Sequence, residues 1–157
     1  MGQMGAQSAQ APGRPMGRHR GAKREKPWSG GPLEALLRGP NAAGEGVAKA
    51  AAMQLFRRLA SEAGSAAGKL RAQLIPESTW KRAGERLGPS ASQTVSRLAN
   101  ALFLAERIWR NEAEAVRFLL RPHVELGQVS PYSLLSTESG GRRVESLLAA
   151  LEHGFPV

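Results

Sequence analysis

The side chains best suited to chemistry are few and scattered. Three histidines, His19, His123 and His153, carry the only imidazoles. They fall on different segments, so neither a metal site nor histidine-based catalysis is expected, and His153 reads as a cation at a helix C-terminus. There is no cysteine, which removes thiolate metal sites, cysteine nucleophiles and disulfides together. Glu112 and Glu114 stand two apart on a helical pattern and do not share a face. Glu106 and Arg110 have the spacing of an ordinary i,i+4 ion pair. The Gly-x-Gly spacings near the start follow no strand, so they are not phosphate loops. No catalytic or metal-binding residue is assigned, no cofactor or small-molecule substrate is expected, and the chain does not read as an enzyme.

What remains is cationic chemistry. The formal net charge is +9, and it is unevenly placed. Residues 1–44 hold 7 Lys/Arg and 2 Glu, 7 − 2 = +5. Residues 45–100 hold 9 and 4, 9 − 4 = +5, and residues 101–157 hold 6 and 7, 6 − 7 = −1. A basic region attracts phosphate backbones, although charge alone also fits a solvated surface. The near-neutral end calls for another kind of partner, and protein contact is the natural one.

The elements that position these residues read as helices. Hydrophobic content is 41% but aromatic content only 5%, and no β-branched alternation appears, so an all-α fold is expected. Residues 1–44 are rich in Gly, Pro, Gln and Ala and read as a disordered basic tail. From there the apolar stripe Val47, Ala51, Leu55, Leu59, Ala63 predicts one helix stopped by Gly64. Ser65 is placed to cap a short second helix, and Pro76 to open a third that ends at Gly88-Pro89. Val95, Leu98, Leu102, Ala105 and Trp109 predict a long helix capped by Ser90 or Ser92. Asn111 caps the next, which Pro122 stops. No run approaches the ~20 apolar residues that span a bilayer. No secretory signal is seen, so a cytoplasmic protein without membrane contact is expected.

The short helices between Ala66 and Leu87 suggest a helix-turn-helix, with residues 76–86 as the recognition helix. Lys69, Arg71, Ser78, Thr79, Lys81, Arg82 and Arg86 would then reach DNA: arginine forks onto guanine, Ser and Thr touch base edges or phosphates, and lysine meets the backbone. Trp80 would face the core. The alternative is two core helices with charged outer faces.

The C-terminal stretch is more specific. Pro122 ends a helix, a loop turns at Gly127, and Ser130 with Pro131 opens a short helix. Thr137 to Gly141 forms a turn or a loose helix start. Val144, Leu147, Leu148 and Leu151 then share one face, and Gly154 closes it. The order A…FLLRP…LG…SPYSLLSTESG…VESLLAALEHG resembles the toxin-binding domain of Xre/MbcA/ParS-type antitoxins. The resemblance covers residues 95–157 and lands on Ala115, Leu119, Pro122, Leu126, Gly127, Pro131, Leu134, Leu135, Thr137, Glu138, Gly140, Val144, Leu148 and Gly154. The chain departs from the pattern at three positions: Phe118 stands for Trp, His123 for Asn and Gln128 for a second Gly.

The resemblance implies a tail (1–44), an Xre-like helix-turn-helix domain (45–94) and a toxin-binding domain (95–157). It implies an antitoxin that neutralises a RES-domain toxin, an NAD-consuming or ADP-ribosylating protein, by closing its active site, and that binds its own operator DNA, as a homodimer within a larger complex. Pro122, Leu126, Gly127, Pro131, Leu135, Thr137, Glu138, Leu148 and Gly154 would form the toxin-binding set. Arg142 and Arg143 would pair with acidic toxin residues, and the Val157 carboxylate would reach a cationic pocket. The rival reading is a helix-turn-helix regulator without a toxin partner.

Overall fold

A computed structural model describes residues 46–154. The expected tail and Val157 lie outside them. Among the described residues the structure is all-α, with two isolated β-bridges and no strand. Helix α1 spans Lys49–Ala63, a 3-10 turn Gly64–Ala66, α2 Ala67–Leu74, α3 Glu77–Arg82, α4 Pro89–Trp109, α5 Glu112–Leu120, a second 3-10 turn Val124–Leu126, α6 Pro131–Leu134 and α7 Glu138–Glu152.

Helix α4 is the centre. At 21 residues it is about 31 Å long. Its buried residues, among them Ala91, Val95, Leu98, Ala99, Leu102 and Ala105, take up a broad face rather than a narrow stripe. That face needs cover from more than one direction, and α5 and α7 are the elements packed most extensively on it. Asn100 donates to Glu145 at 2.8 Å and Arg107 pairs with Glu152, so the same offset of 45 positions recurs along both helices. A constant offset means that α4 and α7 run parallel. The border expected between residues 94 and 95 falls inside α4, and one apolar core runs from Val47 to Leu148.

The local rules hold at several ends. Asn111 caps α5 by accepting from the Glu114 amide at 3.1 Å. Ser130 caps α6, with Pro131 at its first position. Thr137 caps α7 by accepting from the Gly140 amide at 3.1 Å, so the Ser-Gly-Gly stretch is the start of a helix rather than a turn. Gly140 and Gly141 are both buried, because α7 lies close to its neighbours there. A Cβ on Gly140 would stand 2.1 Å from the Leu134 carbonyl oxygen.

Three local expectations are corrected, two of them by long-range contacts. Neither Ser90 nor Ser92 caps α4, which starts from Gly88 and Pro89. Ser92 is instead buried, accepting from the Val47 amide at 2.9 Å and donating to the Leu87 carbonyl at 3.0 Å. Ser65 caps nothing and sits within the 3-10 turn. Glu106 takes Arg58 as its partner at 2.7 Å, while Arg110 leaves α4 in the left-handed region. Arg58 also reaches Glu112 at 2.5 Å, so one guanidinium ties α1 to the end of α4 and the start of α5.

Two polar anchors join segments far apart in the sequence. The buried Tyr132 hydroxyl donates to the Leu70 carbonyl at 2.5 Å, holding α6 to α2, and burial pushes its pKa well above the usual phenol range. Arg97 donates to the Leu135 carbonyl at 3.0 Å and, more loosely, to Ser136, gripping the α6–α7 connection from α4.

Gly140→Ala is expected to lower the unfolding free energy by about 3 kcal/mol, since overpacking against backbone has no soft escape. Gly141→Ala should cost less, because its nearest neighbour is the movable Arg97 Cδ at 2.8 Å. Urea denaturation of both variants checks the order.

A second expectation concerns pH. Burial, only partly offset by Arg58, raises the Glu106 pKa. The folded state therefore holds that proton more tightly than the unfolded chain. The stability this gives is full below the ordinary carboxylate pKa and is lost as pH rises through the folded value. Glu106→Gln removes that loss. Between pH ~4 and ~7 the difference in unfolding free energy should move in the variant's favour, whereas a pH-independent difference would refute the desolvation of this carboxyl.

Candidate functional site

The basic segment folds differently from its sequence pattern. The expected helix over residues 76–86 is α3, only six residues long, and Ala83 is already extended at φ −67°, ψ 129°. The cause is an antiparallel bridge between Ala48 and Arg86. Lys49 donates to the Glu85 carbonyl at 2.8 Å and Leu87 to the Val47 carbonyl at 2.9 Å, which pulls residues 85–87 out of helical register. Arg86 is thus off the helix, donating to the Gly46 carbonyl at 2.8 Å.

Trp80 does face the core, as expected. Phe56 meets it edge-on at 6.2 Å, and the cations of Lys49 and Arg71 lie 5.2 Å and 4.9 Å from its ring centroid. Arg71 also pairs with Glu77 and holds that carboxyl below its usual pKa. Arg71 is therefore half-buried and engaged within the fold. Lys69, Ser78, Lys81 and Arg82 remain exposed, and Thr79 is half-buried. Lys81 lies 3.8 Å from Glu77, and Arg82 donates to the Ser78 carbonyl at 3.2 Å.

The C-terminal set separates by burial. Leu126, Pro131, Leu135 and Leu148 are enclosed in the core. Pro122, Gly127, Thr137, Glu138, Arg142, Arg143 and Gly154 are exposed. Thr137, Glu138, Arg142 and Arg143 cluster on the first turns of α7, where Arg142 and Glu138 form an i,i+4 pair at 2.5 Å. Beside them Gln93, Ser96, Arg97, Glu138, Gly141, Arg142 and Glu145 line a shallow groove of about 440 Å³ along the α4–α7 seam. Nothing local in the sequence marks this groove, because it forms only where the two helices lie side by side. Val144, Leu147 and Leu148 of α7 belong to the core, so only the outer face of this helix is open to a partner.

The loop of residues 122–129 is the other exposed feature. His123 and Val129 form an antiparallel bridge. The ring of His123 lies 4.4 Å from that of Phe118, its Nε2 is 2.9 Å from the Phe118 carbonyl, and Trp109 lies 4.6 Å beyond. Phe118 thus fills an aromatic stack where the resembled pattern has Trp. Gly127 and Gln128 both take positive φ, 75° and 61°. Glycine meets this at no steric cost, whereas glutamine does not.

Among the described residues no group of three or more His, Asp or Glu is placed to hold a metal, and no helix is long and apolar enough to cross a membrane.

Comparison with known proteins agrees with the C-terminal pattern. Residues 104–154 match the family described as the antitoxin Xre/MbcA/ParS C-terminal toxin-binding domain. The chain is also 30% identical over 88 residues to a Pseudomonas putida protein named Antitoxin Xre. That alignment covers 54% of this chain and 55% of the relative, so the chain spans about half the length of the curated protein it matches.

Gln128→Gly is expected to raise the unfolding free energy by about 1 kcal/mol, because it relieves the left-handed strain and gives back part of that gain as chain entropy. Thermal unfolding of the variant reads this directly.

Proposed function

We propose that this chain, whose C-terminal third is an Xre/MbcA/ParS-type toxin-binding domain, is the antitoxin of a type II toxin–antitoxin pair and neutralises its toxin by direct contact. The observation that carries the reading is the family match over residues 104–154. The geometry supports it. Inhibition by occlusion needs no reacting group; it needs a rigid surface with a few polar anchors. The outer face of α7 offers Thr137, Glu138, Arg142 and Arg143 on a helix whose inner face is fixed in the core.

The toxin is a RES-domain, NAD-consuming protein in this reading, and the chain acts in the cytoplasm as a non-enzymatic regulator. The exposed Lys69, Ser78, Lys81 and Arg82 give the α2–α3 segment a polar, cationic surface suited to operator phosphates. Operator binding is the second role, carried by a homodimer that presents two such segments to two half-sites.

Co-expression with the product of the adjacent reading frame, followed by affinity purification and assay of cellular NAD, tests the main claim. The two proteins should co-purify, and NAD should collapse only when this chain is absent. Truncation before α7 is a poor test, since it removes Val144, Leu147 and Leu148 from the core. Arg142→Glu with Arg143→Glu is better, because both side chains are exposed. This pair should leave the melting temperature within about 2 °C of the native value and weaken neutralisation. Intact neutralisation by a folded double variant would remove these arginines from the interface.

A further inference from the structure

Among the described residues only three large apolar side chains are exposed: Phe103 at 39%, Val124 at 72% and Val129 at 38%. Two of the three lie on the loop of residues 122–129, where Pro122 is exposed as well. Single exposed apolar residues are ordinary; a group on one short loop is not.

The loop is stiff. Amides of His123, Leu126, Gly127 and Gln128 all bond to carbonyls within it, at 3.3, 3.1, 2.9 and 2.8 Å. Leu126, 4% exposed, pins it to the core. The His123 ring is clasped between its contacts with the Phe118 ring and carbonyl. A loop so constrained loses little freedom when it docks, so the burial of its valines goes to affinity rather than to ordering.

The three departures from the resembled pattern meet at this loop. Phe118 stacks on His123, and the backbone amide at position 128 donates to the His123 carbonyl. They form one contiguous unit that sets the shape of the segment carrying Val124 and Val129. The unit lies wholly within the matched residues 104–154.

We infer that the loop of residues 122–129 is the partner-selecting contact of this domain, with Val124 and Val129 seated in an apolar recess on the cognate toxin. This rests on the antitoxin reading, which supplies the occupant. The outer face of α7 gives polar anchoring, and the loop gives apolar fit. His123 is the positioning residue: its ring contacts hold the loop's shape and leave the apolar contact to the valines.

The test is calorimetric titration of the full chain with the protein encoded by the adjacent frame, using native chain, Val124→Glu and Val124→Leu. Val124 is exposed, so neither substitution should change the melting temperature. Val124→Glu should weaken Kd at least about 30-fold, the scale of a hot-spot loss. Val124→Leu should stay within about threefold of native, since it keeps an apolar side chain. If native chain binds and Val124→Glu binds equally well, the loop is not the contact and this inference fails, while the antitoxin reading stands. If native chain itself shows no binding, the antitoxin reading fails and takes this inference with it. If Val124→Glu leaves toxin binding intact but dissociates the chain by sedimentation velocity, the loop's occupant is a second copy, which also overturns the inference.

Discussion

The burial of α4 governs the arrangement of everything around it. A helix with Ala91, Val95, Leu98, Ala99, Leu102 and Ala105 all enclosed exposes too much apolar surface for one neighbour to cover. Two later helices, α5 and α7, therefore pack against it, and the chain closes into one apolar core. The alanines on α4 let its neighbours approach closely. Gly140 and Gly141 do the same from α7, which lies parallel to it.

Apolar packing is non-directional, so polar anchors fix the register. Arg58 gathers Glu106 and Glu112, setting α1 against the α4–α5 corner. Tyr132 ties α6 to the middle of α2 through a buried carbonyl. Arg97 holds the α6–α7 connection from α4. Each anchor spans 38 or more residues of sequence. Hydrogen bonds to charged groups, and bonds whose loss would strand a buried partner, are the ones worth most, so these few contacts specify which packing is adopted.

The candidate surface follows from that scaffold. The inner face of α7 is spent on the core, which leaves its outer turns with Glu138, Arg142 and Arg143 in solvent. The anchoring of Leu126 draws the following loop against the body while Val124 stays outside. Neighbouring residues of one motif thus divide between structure and contact: Leu126, Leu135 and Leu148 hold the domain together, and the polar and valine positions face outward.

The sequence by itself determined the helical class, the α4 stripe, the caps at Asn111 and Ser130, the stop at Pro122 and the resemblance of the C-terminal segment to a toxin-binding domain. These depend on residues within a few positions of one another, which is where helical period and capping act. The tertiary structure alone decided that α3 ends at Arg82, because the pull of the Ala48–Arg86 bridge comes from some 40 residues away. It likewise decided that Ser92 bonds to Val47 and Leu87 rather than capping, that Glu106 answers to Arg58 rather than Arg110, and that Arg71 is drawn onto Trp80. It decided too which members of the C-terminal motif are open to a partner: spacing places a leucine and a valine on similar footing, and only the neighbours folded over them determine which one water, or another protein, can reach.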